Sequence, residues 1–256
     1  MKPLGFGQIT GIDILGESRG VLPSTEWKRT TYKKPEQQRW YSGETISLGI
    51  GQGYNSFTML QIAHAMGTVA NNGLKMKPHL VREVVDVETK ASTPVAKEPV
   101  GQLPLTPENL EVIKRGMIGV NIEGTSATSF IGAQYVSAGK TGTAQVFTVK
   151  QNEKYNAASI DERMRDHALY VAFAPAEDPK VALAMVVENA GFGAQNAAPI
   201  ARRVFDFVIL GQYPSQEDIE AVQKGQATRP IGKPRAVASV PWPPKATELV
   251  PDELPE

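Results

Sequence analysis

Two apolar runs, His167 to Ala174 and Lys180 to Glu188, joined by Pro175-Ala176-Glu177-Asp178-Pro179, constrain the fold more than any other feature of the chain. Proline at both ends of the link favours a turn, so the runs read as an antiparallel hairpin. Their residues are nearly continuously apolar instead of alternating, which requires cover on both faces of the sheet. A third strand, Tyr135 to Val146, precedes them. Gly139 and Gly142 interrupt it and leave its backbone open to close approach.

Helices that could supply this cover stand on either side in the chain. Thr58-x-x-Gln61 is a capping box ahead of Met59, Ile62, Ala63, Met66, Val69 and Ala70, which fall on one helical face. Gly73, after Asn71-Asn72, is a natural stop. Thr106-Pro107 opens a second helix running to about Val120, with Leu110, Ile113, Met117 and Val120 as its buried stripe. Asn196 to Leu210 reads as a third, with Ile200, Val204, Phe207 and Val208 facing inward. Leu80 to Val87 reads as a strand and Val95 to Leu103 as a loop. The first 57 residues, rich in Gly, Pro and Ser, read as long loops that serve function or wrap another domain. Eight of the nineteen prolines lie between Pro214 and Glu256. The expected organisation is therefore a packed domain portion over 1–213 and a flexible Pro-rich tail over 214–256.

Twenty-seven basic residues balance twenty-seven acidic ones, so no global field favours nucleic acid or an anionic membrane. The absence of cysteine excludes thiol nucleophiles, disulfides and thiolate zinc sites. The longest apolar run, Val181 to Val187, is far short of the roughly 20 residues a spanning helix needs. His64, His79 and His167 show no ligand spacing, and neither a metal nor another cofactor is expected.

The run that carries chemistry is Lys140-Thr141-Gly142-Thr143, on the strand before the hairpin. Lys140 offers an ammonium that can draw in a peptide's terminal carboxylate, and Thr141 and Thr143 offer hydroxyl donors. Gly142 removes a side chain where a ligand backbone would lie. An extended peptide could add to such a strand edge. Lys-Thr-Gly is one of three elements of the serine acyl-transferases that react with penicillin, beside Ser-x-x-Lys and Ser-Asp-Asn.

With Gly124-Thr125-Ser126 before it, Ala144-Gln145 after it, and the hairpin and helix beyond, the run resembles the class B penicillin-binding proteins. Gly49-Ile50-Gly51-Gln52-Gly53, Thr58-x-x-Gln61 and Ala70-Asn71-Asn72-Gly73 share the likeness. Trp40-Tyr41-Ser42-Gly43-Glu44-Thr45 and Leu48 to Tyr54 point to the branch that serves elongation in Gram-negative rods. The resemblance covers about Gly5 to Gln212. It implies an α+β fold of the penicillin-binding transpeptidase and beta-lactamase kind, an antiparallel sheet covered by helices on both faces, incomplete in this chain. It implies a peptidoglycan D,D-transpeptidase on the periplasmic face of the bacterial inner membrane, its anchor outside this chain. Its expected partners are stem peptides ending in D-Ala-D-Ala, beta-lactams and membrane proteins of the elongation machinery. By the motif match, Lys140, Thr141 and Thr143 bind the substrate or drug carboxylate, and the Thr143 amide supplies half of the oxyanion hole.

The resemblance also implies that Ser-x-x-Lys and the second motif lie upstream of Met1, so the chain is expected to lack the nucleophile. One literal Ser-x-x-Lys exists, Ser137 to Lys140, but on a strand residues three apart point to opposite faces. Ser159-Ile160-Asp161 imitates a second motif in the wrong chain order. Three alternatives stay open: a non-catalytic scaffold of the same fold, a carboxypeptidase or beta-lactamase relative, and a nucleotide hydrolase. The last would read Gly139-Lys140-Thr141 as the end of a P-loop, although Gln134 stands where that motif needs glycine.

Overall fold

The computed structural model describes residues 1–146, 160–226 and 228–240. Three short helices, α1 (Thr25–Thr31), α2 (Pro35–Gln38) and α3 (Ser42–Gly49), punctuate the N-terminal region, where the composition suggests loops. Their anchor is Lys28, only 3% exposed, which pairs with Glu44 and donates to the Arg39 carbonyl at 2.8 Å. The Lys28 ammonium holds the Glu44 carboxyl below its usual range. The Lys28-Arg29 sequence suggests a solvated pair; instead Trp40, Tyr41 and Tyr54 ring the Lys28 ammonium at 5.3 to 6.0 Å, covering its stem.

Helix α4 (Met59–Ala70) forms as its capping box dictates, with Thr58 and Gln61 bonding each other's backbone amides at 3.1 and 3.0 Å. The Gln61 amide also donates to the carbonyls of Gln8 and Arg19, pinning the N-terminal loop to α4. Gly73, at φ 84°, turns the chain into β1 (Leu74–Met76). The Leu80 to Val87 run yields only β2 (Glu83–Val85), an exposed ribbon with β3 (Ser92–Pro94). The 95–103 segment, read as loop, contains β4 (Pro99–Gln102), which pairs with β1; Pro99 stands at the first position of this two-stranded edge.

Helix α5 (Pro107–Ile122) and the single turn α6 (Ala127–Phe130) lead into β5 (Ala138–Ala144). The hairpin strands are β6 (His167–Ala174) and β7 (Val181–Val187), and the sheet order is β5-β6-β7, antiparallel throughout. A turn α7 (Gly193–Asn196) and helix α8 (Ala198–Leu210) follow. One face of the sheet offers Ala168, Tyr170, Ala172 and Ala174 to Phe130, Ala197, Ala198, Ala201 and Phe205. The other packs Ala138 and Phe173 on Ala70 and Ala176, flanked by Met66, Val69, Met117 and Ile118. Helical cover on both faces is thus present, as the uninterrupted apolar strands require.

The buried stripe of α8 is not the one its large residues suggest: Val204, Phe207 and Val208 are exposed, the last by 52%. Alanine at 198 and 201 lets the helix lie close on the sheet, and Arg202 and Arg203 are buried because each has an acid partner. Arg202 binds both oxygens of Asp206 and donates to the Ser129 and Ile131 carbonyls at the end of α6. Tyr135 donates to Asp206, and burial beside that carboxylate raises its phenol well above the ordinary value.

Proline counting reads everything beyond 213 as tail. The described part of it packs. β8 (Gln212–Tyr213) pairs with β9 (Arg235–Ala236), and between them α9 (Gln216–Gln223) docks on α8 through Arg203 and Asp218. Residues 241–256 lie outside the described residues. No helix among the described residues is long and apolar enough to cross a membrane.

Candidate active site

β5 lies at one edge of its sheet, with Lys140 opposite Val171, Thr141 opposite Tyr170, Gly142 opposite Leu169 and Thr143 opposite Ala168. Successive side chains alternate faces, so Thr141 and Thr143 leave toward the Tyr170 side and Lys140 toward the other. The four motif residues therefore straddle the strand edge from both faces. The Ala174 carbonyl accepts from the Lys180 amide, so even-numbered β6 residues turn their backbone groups to β7 and odd-numbered ones turn theirs to β5. Their β5 partners Ala138, Lys140 and Gly142 therefore face β6, and the Thr141 carbonyl, to which the Lys140 ammonium curls back at 2.8 Å, lies on the open edge. In an antiparallel strand the N–H and C=O of one residue face the same side, and so do those of the residue two along. The Thr143 N–H accordingly faces the open edge, flanked by the ammonium and the threonine hydroxyls.

The edge is held in place from outside the strand. Asn121, at the end of α5, donates to the Ser137 hydroxyl at 2.8 Å, and its carbonyl oxygen accepts from Ser126 and Tyr170, each at 2.6 Å. All four residues are buried. Burial pushes the Tyr170 phenol up to about 12, so it stays a donor at any physiological pH. Gly139 exists to admit this network, since a Cβ there would sit 2.1 Å from the Tyr170 hydroxyl. The Thr125 hydroxyl lies 2.9 Å from that of Thr141. At the far end of β5, Ala144, Gln145 and Val146 face Gly51, Gln52, Gly53 and Asn55 across a cleft of about 260 Å³. The glycine-rich loop of the N-terminal region thus borders the strand's exit.

Gly193 presses α7 onto the backbone of the motif. A Cβ on it would fall 2.1 Å from the Leu169 carbonyl oxygen and 2.6 Å from that of Gly142. Because the obstacles are backbone atoms, Gly193→Ala is expected to cost about 1–3 kcal/mol, as overpacking does elsewhere. Urea unfolding reads this directly; a stability within 0.5 kcal/mol of the parent, on the order of an ordinary surface change, would mean α7 yields freely.

Ser137 and Lys140 do not form a nucleophile and base. Ser137 is 3% exposed and accepts from Asn121, while Lys140 leaves the opposite face. Ser159 lies outside the described residues. The histidines have structural partners: His64 bonds the Met76 carbonyl, His79 the Val81 carbonyl, and His167 accepts from the Asn189 amide. Trp27 packs on Tyr54 at 5.2 Å, which gives the N-terminal aromatic residues the role of pinning a loop. Sequence reasoning missed Asn121, Tyr170 and Gly193. Asn121 left a trace, being a polar residue four places after Met117 on the helix's inner side; Gly193 left none.

Comparison with known proteins agrees with this architecture. Residues 1–206 match the family model of the penicillin binding protein transpeptidase domain. The chain is 42% identical over 219 residues to peptidoglycan D,D-transpeptidase MrdA of Haemophilus influenzae, a match covering 85% of this chain and 33% of the relative. MrdA of Escherichia coli K12 is 41% identical over 214 residues, covering 82% and 33%. Among solved structures, Pseudomonas aeruginosa PBP2 in complex with WCK 5153 superposes with a TM-score of 0.64 at 37% identity, over 82% of this chain and 42% of that one. Helicobacter pylori PBP2, solved in complex with MreC, gives 0.62 at 28% identity, over 82% and 35%. The chain spans about a third of the length of the curated relatives it matches. An edge strand bearing Lys-Thr-Gly-Thr, a three-stranded antiparallel sheet between helices, and a family match over four-fifths of the sequence converge on one assignment: the chain belongs to the penicillin-binding protein transpeptidase family.

Proposed function

We propose that this chain supplies the carboxylate-binding and oxyanion-supporting wall of a peptidoglycan D,D-transpeptidase, which cross-links cell-wall stem peptides by serine acyl transfer during elongation. The observation that carries the reading is the pairing parity of β5 with β6, which turns the Thr141 carbonyl and, by strand alternation, the Thr143 N–H to the same open edge. A peptide ending in D-Ala-D-Ala lies along that edge. Its terminal carboxylate meets the Lys140 ammonium and the hydroxyls of Thr141 and Thr143. The scissile carbonyl oxygen meets the Thr143 amide, a donor already fixed where negative charge develops. A beta-lactam presents the same carboxylate and carbonyl and takes the same place. Gly142 keeps the side chain away from the ligand's backbone.

The serine that attacks this carbonyl comes from a helix-borne Ser-x-x-Lys elsewhere in the complete protein, because Ser137 is engaged with Asn121. The working location is the periplasmic face of the inner membrane, beside membrane proteins of the elongation machinery. The MrdA names of the relatives and the PBP2–MreC complex of H. pylori support this setting. Fluorescent penicillin tests the reading. The complete protein is expected to take up one acyl group per molecule, on a serine outside these 256 residues, and this chain by itself to take up none. An adduct on Ser137, or a complete protein inert to penicillin, would sink it.

A further inference from the structure

Two hydroxyls 2.9 Å apart, on Thr125 and Thr141, can share their protons in two ways. If Thr141 donates to Thr125, it has no proton left for an anion. If Thr125 donates to Thr141, the Thr141 proton is free to point along the strand edge, and the bond behind it polarises that proton further. An anionic ligand therefore selects the second arrangement, provided the two oxygens are held at this separation.

The structure holds them so. Thr125 sits in a tight turn after α5, with the Gly124 amide on the Gly119 carbonyl, the Ser126 amide on that of Val120 and the Ala127 amide on that of Gly124. Gly124 has room for hydrogen alone, because a Cβ would lie 2.7 Å from Val120 Cα. The next residue, Ser126, is buried and bonded to Asn121; Asn121 in turn holds Tyr170, the cross-strand neighbour of Thr141. Both hydroxyls thus hang from one rigid buried frame, while Thr125 itself is exposed at the open edge.

We propose that Thr125 is a positioning residue for carboxylate recognition, directing the Thr141 hydroxyl proton toward the ligand's anionic end. The inference rests on the function proposed above and adds to it a residue outside the Lys-Thr-Gly-Thr run. Its role is in binding the anion, not in the chemical step.

The test uses the complete protein, a penicillin with a free carboxylate, and the methyl ester of the same penicillin. Thr125→Val removes the hydroxyl at nearly constant shape, and Thr125→Ser restores it. For the free acid, Thr125→Val is expected to raise the concentration giving half-maximal acylation about fivefold to tenfold, the scale of one neutral hydrogen bond, with the limiting rate within about twofold. Thr125→Ser is expected to lie within about twofold of the parent, and the ester to be indifferent to Thr125→Val. The inference is overturned if Thr125→Val leaves free-acid binding unchanged, if acid and ester suffer equally, or if Thr125→Ser fails to restore binding. Lys140→Ala separates this from the parent reading. If that variant is impaired while Thr125→Val is not, only the role of Thr125 falls. If the parent protein is not acylated, or Lys140→Ala is acylated normally, the proposed function fails and takes Thr125 with it.

Discussion

Replacing Lys140 by alanine is expected to slow acylation of the complete protein by penicillin about a hundredfold or more, the scale on which a main electrostatic contact in an acyl-transfer site is lost. The ammonium is the one formal charge of the motif and lies beside the edge where, on the proposed function, the ligand's carboxylate arrives. Its present partner is a neutral carbonyl, which an arriving carboxylate readily outcompetes. Because Lys140 is exposed, the variant should keep its fold, with stability changed by no more than about 0.5 kcal/mol. A loss of acylation at constant stability is therefore attributable to recognition. Lys140→Arg keeps the charge but spreads it over a planar fork, and should fall between the two. The second-order acylation rate constant is the measurement. A value near that of the parent for Lys140→Ala would return the motif to a solvated strand edge.

Asp218→Ala is expected to destabilise the folded chain by about 3–5 kcal/mol, the cost of leaving a buried charge without its partner. Asp218 is 1% exposed and grips Arg203 with both oxygens, at 2.8 and 2.6 Å, while its Oδ1 also accepts from the Ile231 amide. Arg203 also donates to the Pro199 carbonyl, which cannot neutralise it. Ser215 caps α9 at the Asp218 amide and donates to the Ile231 carbonyl, so the same removal loosens the whole C-terminal clasp. Urea denaturation gives the difference. If it is below about 1 kcal/mol, an ordinary surface effect, the segment after 213 behaves as the independent tail that its prolines suggest.

That segment shows where sequence reading reached its limit. Proline content reports backbone donors lost, but not the single aspartate that makes a proline-flanked helix worth docking. The same blindness affected α8, where Val204, Phe207 and Val208 outweigh Ala198 and Ala201 in any hydrophobic scale, yet the alanines face the sheet. Close approach of helix to sheet favours small residues, and the buried arginines depend on acids that only the fold brings near. What was legible had local causes: the capping box of α4, the proline start of α5, the Pro-bounded hairpin and the four-residue motif on its strand. The direction of the motif's side chains also follows from period two. The frame behind it did not, because Asn121, Ser126, Ser137 and Tyr170 meet only after α5, α6 and the hairpin have assembled. Gly193 is the extreme case, a residue whose lack of a side chain matters only to the backbone of Leu169 and Gly142.

An open strand edge that accepts a peptide would also accept the edge of a second copy. Two β5 strands meeting antiparallel would bring their lysines toward one another across the seam, and each ammonium would forfeit its carbonyl. A charged side chain on an exposed edge is how sheets discourage such pairing. On the proposed function Lys140 would therefore serve as a gatekeeper, drawing in a short chain that ends in a negative charge while its own charge disfavours edge-to-edge pairing of two copies.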